Sequence, residues 1–297
     1  MLTVTALTAD GRLLYRIRSG RFAGTVHSIF DSVVNLRPAD GGLVSLAARH
    51  VDNAPNTVVV DVASLSALTP RLGAGVVGRE SHLVCPGLFT VDLTATAPWT
   101  PVLPDLSAAA ASDVLVRMAT ALGRVVDREG QLGGIRPRRD AEGTIGAQVS
   151  HTLEAVSRQL VATLAAGDLD AATRWAGRLV GLGPGLTPSG DDFITGLAAV
   201  IAAPGTRIHA LRPWVAELVR THEANTNAIS WIAMHEAARG RVREAIVRIL
   251  TAVAADDTDA LRAAARAVIR IGKTSGTDIV TGMQAGLHLE KELRGVA

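Results

Sequence analysis

Along the first third of the chain the apolar positions come in short β-branched runs broken by Gly, Pro, Asn and Asp, which is the grammar of strands and turns. It predicts strands over residues 2–7, 25–36, 43–47, 57–62, 75–78 and 88–93, with a hairpin turn at 38–42. Prolines at 98, 101 and 104 disfavour continued strand or helix, and the pattern changes after them. Beyond this point apolar residues recur at i, i+3 and i+4, predicting helices over 108–128, 146–166, 168–179, 191–203, 208–223, 228–238, 242–254, 258–271 and 277–293. The expected fold class is therefore α+β. A β-rich N-terminal domain, residues 1–105, precedes an all-helical domain, residues 106–297. Residues 130–143 interrupt the helical pattern and read as a mobile surface loop; the alternative is an anion clamp of Arg136, Arg138 and Arg139.

Composition narrows the class. With 297 residues, 48% hydrophobic and 20% charged, the chain is of globular type, large enough for two domains and for a core that needs no staples. One cysteine, Cys85, excludes an internal disulfide framework and any multi-cysteine metal site, and it suits a reducing compartment. The N-terminus lacks the apolar core and cleavage site of a secretory signal and reads as mature sequence. The most apolar stretch, 194–203, is about half the ~20 residues a membrane span requires, so a cytoplasmic protein without membrane contact is expected. A net charge of +2, scattered arginines and 3% aromatic residues give no nucleic-acid footprint. Only Lys273 and Lys291 are lysines.

The chemistry concentrates in residues 181–196, GLGPGLTPSGDDFITG, a glycine-rich loop running into a helix. Gly183 and Gly185 permit positive φ and close approach to the backbone, so that successive amides can aim at one anion. The following helix adds its N-terminal N–H groups and the positive end of its dipole. Two capping schemes fit: Thr187 as N-cap with Pro188 at the first helical position, or Ser189 as N-cap with Asp192 closing a capping box. The pattern S-G-x-D-x-x-T-G of Ser189, Gly190, Asp192, Thr195 and Gly196 returns 86 residues later in Ser275, Gly276, Asp278, Thr281 and Gly282. Two such copies predict two helix N-termini around one pseudo-symmetric pocket, with Lys273, Thr274 and Ser275 beside it. The plainer reading is a pair of capping boxes, with Gly196 and Gly282 serving helix packing. Adjacent carboxylates at Asp191 and Asp192 repel a bare phosphate, so they either cap amides or bind a divalent cation such as Mg that bridges to the ligand.

Other signals fail their tests. GKTS at 272–275 lacks the P-loop glycine at 267, where Ala267 stands, and follows a predicted helix instead of a strand. No H-E-x-x-H or histidine triad marks a metal site, and no G-x-S-x-G elbow marks a serine nucleophile. His27, polar within a predicted strand, is kept as a catalytic candidate. The polar run from Thr221 to Asn227, with Ser230, reads as helix capping, with ligand hydrogen bonds as the alternative.

The glycine-rich segment resembles the signature of the AllH, or YlbF-like, family. The run G-T-V-H-S-I-F at 24–30, followed by Val-Asn-Leu at 34–36, is similar to that family's N-terminal signature, and Ser275-Gly-Thr-Asp278 extends the resemblance toward the C-terminus. Where the resemblance leads one to expect a histidine ahead of the last motif, this chain has Lys273. The resemblance implies a component of an oxamate carbamoyltransferase of allantoin catabolism, working with FdrA-like and AllG-like subunits. That enzyme converts oxalurate and phosphate to oxamate and carbamoyl phosphate. On this reading the amides of Gly183 to Gly185 and the helix from Ser189 hold the anion, and Thr187 and Ser189 donate hydroxyl hydrogen bonds. Asp191, Asp192 and Asp278 orient the loop, hold a cation or accept an amide proton, and Lys273 neutralises charge. The competing readings are a non-catalytic assembly or metabolite-binding subunit, and a metal-dependent hydrolase built on the aspartates.

Overall fold

The structure, a computed structural model, describes residues 2–138 and 143–295. It divides into two compact units, one ending at Pro101 and the other beginning at Val102. A β-barrel unit followed by a helical unit bears out the α+β reading.

The barrel is built from β1 (Leu2–Asp10), β2 (Ala23–Ile29), β3 (Val33–Pro38), β4 (Val44–Ala48), β5 (Thr57–Val60), β6 (Gly75–Arg79), β7 (His82–Cys85), β8 (Phe89–Asp92) and β9 (Ala97–Trp99). They form one sheet in the order β5-β4-β3-β2-β6-β7-β8-β1-β9, which β1 closes by pairing antiparallel with β5. Closure leaves no long free edge, and the interior is filled by side chains such as Leu36, Leu46, Val60, Leu83 and Phe89. Helix α1 (Gly11–Arg18) starts where the Asp10 carboxylate accepts from the amides of Arg12 and Leu13, and it buries Leu13, Leu14 and Ile17 on one face.

Four features depart from the sequence reading. Helix α1 was not expected at all. The single strand expected over 25–36 is two, β2 and β3, joined at Phe30 to Ser32, a turn without Gly, Pro or Asn. The β6–β7 hairpin turns through Glu80 at φ 51, a residue that gives no turn signal. Strand β9 includes Pro98, which is tolerated because β9 lies at the sheet's edge, against β1.

The helical unit comprises α2 (Ser107–Ala110), α3 (Val114–Glu129), α4 (Ile145–Ala165), α5 (Leu169–Leu179), α6 (Ser189–Ala202), α7 (Arg212–Thr221), α8 (Ala228–Ala238), α9 (Glu244–Ala254), α10 (Thr258–Ile269) and α11 (Ser275–Leu293). The helix expected over 108–128 is divided at Ala111 to Asp113, where Ser112 bonds backward to the Ala109 carbonyl. Thr144, Asp168, Asn227 and Asp257 cap α4, α5, α8 and α10 through their side-chain oxygens. Every residue of α6 is buried, because α4, α5, α7, α8 and α11 all pack against it. Among the described residues no helix is long and apolar enough to cross a membrane.

Helices α6 and α11 touch backbone to backbone. A Cβ on Gly196 would stand 2.0 Å from the Ile279 carbonyl oxygen, and one on Gly282 would stand 2.0 Å from that of Phe193. Farther along, Gly286 faces Val200. These contacts advance in the same direction on both helices, so the pair is parallel and the two N-termini lie at the same end. The 86-residue offset seen in the sequence converts each glycine contact into the other, which makes the pair a pseudo-two-fold.

Candidate functional site

At the shared end of α6 and α11 the two S-G-x-D copies meet. Neither capping scheme exists: α6 begins after Pro188 and α11 after Thr274, and neither helix has a side-chain cap. Ser189 and Ser275 are instead the first helical residues of their helices, and the serine and aspartate of each copy reach across to the other. Asp192 lies beside Ser275, and Asp278 lies beside Ser189. These two relations are again exchanged by the 86-residue offset. The hydroxyls of Thr187 and Ser275 are hydrogen-bonded at 2.7 Å, tying the glycine loop to the start of α11.

Burial dominates the electrostatics. It pushes the Asp192 carboxyl up to about 7, an effect the hydroxyls of Ser275 and Thr187 partly offset and the charges of Asp278 and Asp191 reinforce. Burial likewise raises Asp278 to about 6, against the Ile135 amide and the hydroxyls of Ser189 and Thr274. No arginine, lysine or histidine among the described residues stands against either group. Asp191 is also raised by burial, but its oxygens have definite work: one accepts the Gly181 amide at 2.8 Å and the other accepts the Thr226 hydroxyl. Asp191 is thus a brace for the root of the glycine loop.

The loop itself, residues 181–188, is shaped by its glycines. Gly183 has φ +125, and a Cβ there would stand 2.6 Å from the Ser189 nitrogen, so no other residue fits. The polar run before α8 does cap that helix, as expected, since Asn227 accepts from the Ile229 and Ser230 amides. It does more: Asn227 donates to the Leu186 carbonyl at 2.8 Å, so the same residue holds the loop's outer arm.

A cavity of about 710 Å³ opens where these parts converge. Pro184 to Thr187 form one wall and Gly272 to Ser275 another. Thr144, the cap of α4, with Gly146, Ala147 and Ser150 of that helix and Leu132, Gly133 and Arg138, complete it. Among the described residues its charged lining side chains are Arg138 and Lys273, both cationic. Two helix N-termini, those of α4 and α11, also open on it, and their dipoles favour an anion. Lys273 is exposed and has no carboxylate partner among the described residues.

Of the residues expected at the site, Gly185, Thr187, Lys273, Thr274 and Ser275 line the cavity, whereas Gly183, Ser189, Gly190, Asp191, Asp192, Gly276 and Asp278 lie outside its lining, the serine and the three aspartates buried, so the start of α6 does not open on the cavity as expected. His27 belongs to the barrel, on β2 at an irregularity in its pairing with β3, with Nδ1 3.3 Å from the Ser28 hydroxyl. The α4 start was missed as a site element, although Thr144 ahead of an apolar run is an N-cap signal.

The segment expected to be a mobile loop is hydrogen-bonded to α3 and α11 over residues 130–136. Ile135 is buried and its amide donates to Asp278 at 2.8 Å, and the Gln131 amide donates to the Thr277 hydroxyl at 2.9 Å. Arg136 donates to the carbonyls of Val126 and Gly130 at the end of α3. It is a helix cap, which corrects the clamp reading for that residue; Arg138 alone of the three is seen at the cavity, and Arg139 lies outside the described residues.

Two family models match the chain, one within each unit. Residues 179–287, which hold both S-G-x-D copies, match the model of the oxamate carbamoyltransferase subunit AllH. Residues 5–98, the barrel, match the model of the AllH family N-terminal domain. No solved structure matches the chain.

Proposed function

The chain belongs to the AllH family, and from that premise we propose that it serves as a subunit of an oxamate carbamoyltransferase and holds the enzyme's anionic ligand in the cavity of the helical unit. The observation that carries this reading is the Thr187–Ser275 hydroxyl pair at the cavity wall, with Lys273 beside it and two helix N-termini opening on it. Its ligand is phosphate, carbamoyl phosphate or oxalurate.

In the phosphorolysis direction a phosphate oxygen attacks the carbamoyl carbon of oxalurate. The bond from that carbon to the oxamate nitrogen breaks, and the nitrogen takes up a proton as oxamate leaves. Both reactants are anions, so the first task of the site is to hold like charges together. Lys273, Arg138 and the α4 and α11 dipoles meet that need. Of the hydrogen-bonded hydroxyls of Thr187 and Ser275, one donates to the other and the second keeps its proton for the transferring group. Asp192 acts through them as a positioning residue, since it lies beside both hydroxyls but is itself buried. FdrA-like and AllG-like subunits complete the enzyme.

Titration calorimetry of the purified chain with each of the three anions tests the reading. Saturable binding is expected, and it should be lost in Gly185→Val, whose backbone at φ +98 is strained by any side chain. Absence of binding by a chain that still co-purifies with an FdrA-like protein would replace this reading with an assembly role.

A further inference from the structure

Among the described residues, five buried side-chain polar atoms have no hydrogen-bond partner, and three of them sit in one cluster: Ser189 Oγ, Asp192 Oδ2 and Asp278 Oδ2. Their residues are 0%, 6% and 0% exposed. A buried polar atom without a partner is costly, and a buried carboxylate without a counter-charge is more so. Here two carboxylates lie close enough for the charge of one to act on the other, and no cationic side chain stands against either. The Ser189 hydroxyl lies beside Asp278 without a formed hydrogen bond. Capping explains neither acid, because both helices begin without side-chain caps.

We propose that Ser189, Asp192 and Asp278 form a binding site for one divalent, oxygen-seeking cation of the Mg²⁺ or Mn²⁺ class. The donor chemistry fits such an ion, because all three donors are oxygens and two of them belong to carboxylates. Mg²⁺ takes one or two carboxylates and fills its remaining positions with water and phosphate oxygens. That habit matches the placement, because the Asp192 carboxyl also adjoins the Thr187 and Ser275 hydroxyls, which line the cavity. The cation would neutralise the acidic pair and present a positive charge to an anion held in that cavity. The pseudo-two-fold explains why two copies of one motif are present: each copy supplies one carboxylate.

The inference concerns the metal alone and is tested without phosphate or any substrate, so its outcome is independent of the carbamoyl reading. The full chain is stripped with chelator and titrated with Mn²⁺, free ion being read by electron paramagnetic resonance. One saturable site is expected, displaced by Mg²⁺, with affinity lowered at least about tenfold in Asp192→Asn and in Asp278→Asn. Mg²⁺ should raise the Tm of the wild-type chain and leave both asparagine variants unmoved. In chelator the variants should melt no lower than wild type, which shows that they fold. Absence of Mn²⁺ uptake by the wild type, or uptake by well-folded variants with unchanged affinity, would overturn the site and leave a shared proton as the occupant of the cluster.

Discussion

The hydroxyls of Thr187 and Ser275 are hydrogen-bonded at 2.7 Å across 88 residues of chain. One belongs to the glycine loop and the other opens α11, and both face the cavity with Asp192 beside them. Groups that work as one unit are strongly non-additive when removed. Thr187→Val and Ser275→Ala should each weaken phosphate binding about tenfold, since a hydrogen bond to a charged group contributes about 1.5 kcal/mol. The double variant should be little worse than either single one. A calorimetric double-mutant cycle measures this, and fully additive losses would show that the two hydroxyls act separately.

The α6–α11 contact makes a symmetric demand. Any Cβ at Gly196 or Gly282 meets a carbonyl oxygen at 2.0 Å, so the helices must part to admit it. Alanine at either position should cost about 1–3 kcal/mol net, overpacking outweighing the roughly 1 kcal/mol gained in helix propensity. Gly146→Ala is the contrast. That position in α4 has only the Thr144 hydroxyl at 3.9 Å from its Cβ site, so alanine should stabilise by about 0.5–1 kcal/mol. Urea denaturation followed by the helical signal distinguishes the cases, and equal effects at all three would contradict the close approach.

The segment from Gly130 to Arg136 offers a dynamic test. Its composition reads as a free loop, yet its backbone is pinned to Thr277 and Asp278 at the start of α11. Hydrogen exchange should find the Gln131 and Ile135 amides protected. Thr277→Val should release Gln131 and leave Ile135 slow, whereas Asp278→Ala should release Ile135. Rapid exchange at both amides in the wild type would return the segment to the mobile class.

Periodicity made most of the helical unit legible, because long amphipathic stretches with Asp, Thr or Asn caps carry a strong local signal, as at Asp168 and Asp257. The barrel was less legible at two turns. Glu80 at φ 51 carries no turn signature and is placed by strand pairing, whereas Asp31 and Ser32 do carry one, but so short a break between apolar runs reads as a single strand. The repeated S-G-x-D motif predicted the meeting of two helix starts, which the structure contains. Its local interpretation failed. Ser and Asp spaced as in a capping box ordinarily close on their own helix, but a second copy at the same end of a parallel helix offers a partner that sequence spacing cannot display. The bracing of the glycine loop by Asn227 and Thr226 was hidden for the same reason, since it depends on which turn lies across from Leu186 and Asp191.

His27 carries a pH dependence of its own within the barrel. Burial, and then the positive charge of Arg37, lower its pKa from 6.5, so the folded ring resists a proton that the unfolded chain accepts. The sign follows from proton counting: around and below pH 6.5 the unfolded state binds more protons, so stability is present above that pH and is lost as pH falls through the folded value. A ring-proton NMR titration should place the His27 midpoint below 6.5. Arg37→Ala should move it upward without restoring it fully, because burial is the larger cause. His27→Gln should flatten the acid limb of the barrel's stability profile. A midpoint at or above 6.5 would mean that the ring is better solvated than its place on β2 allows, and would make His27 a proton acceptor near neutral pH.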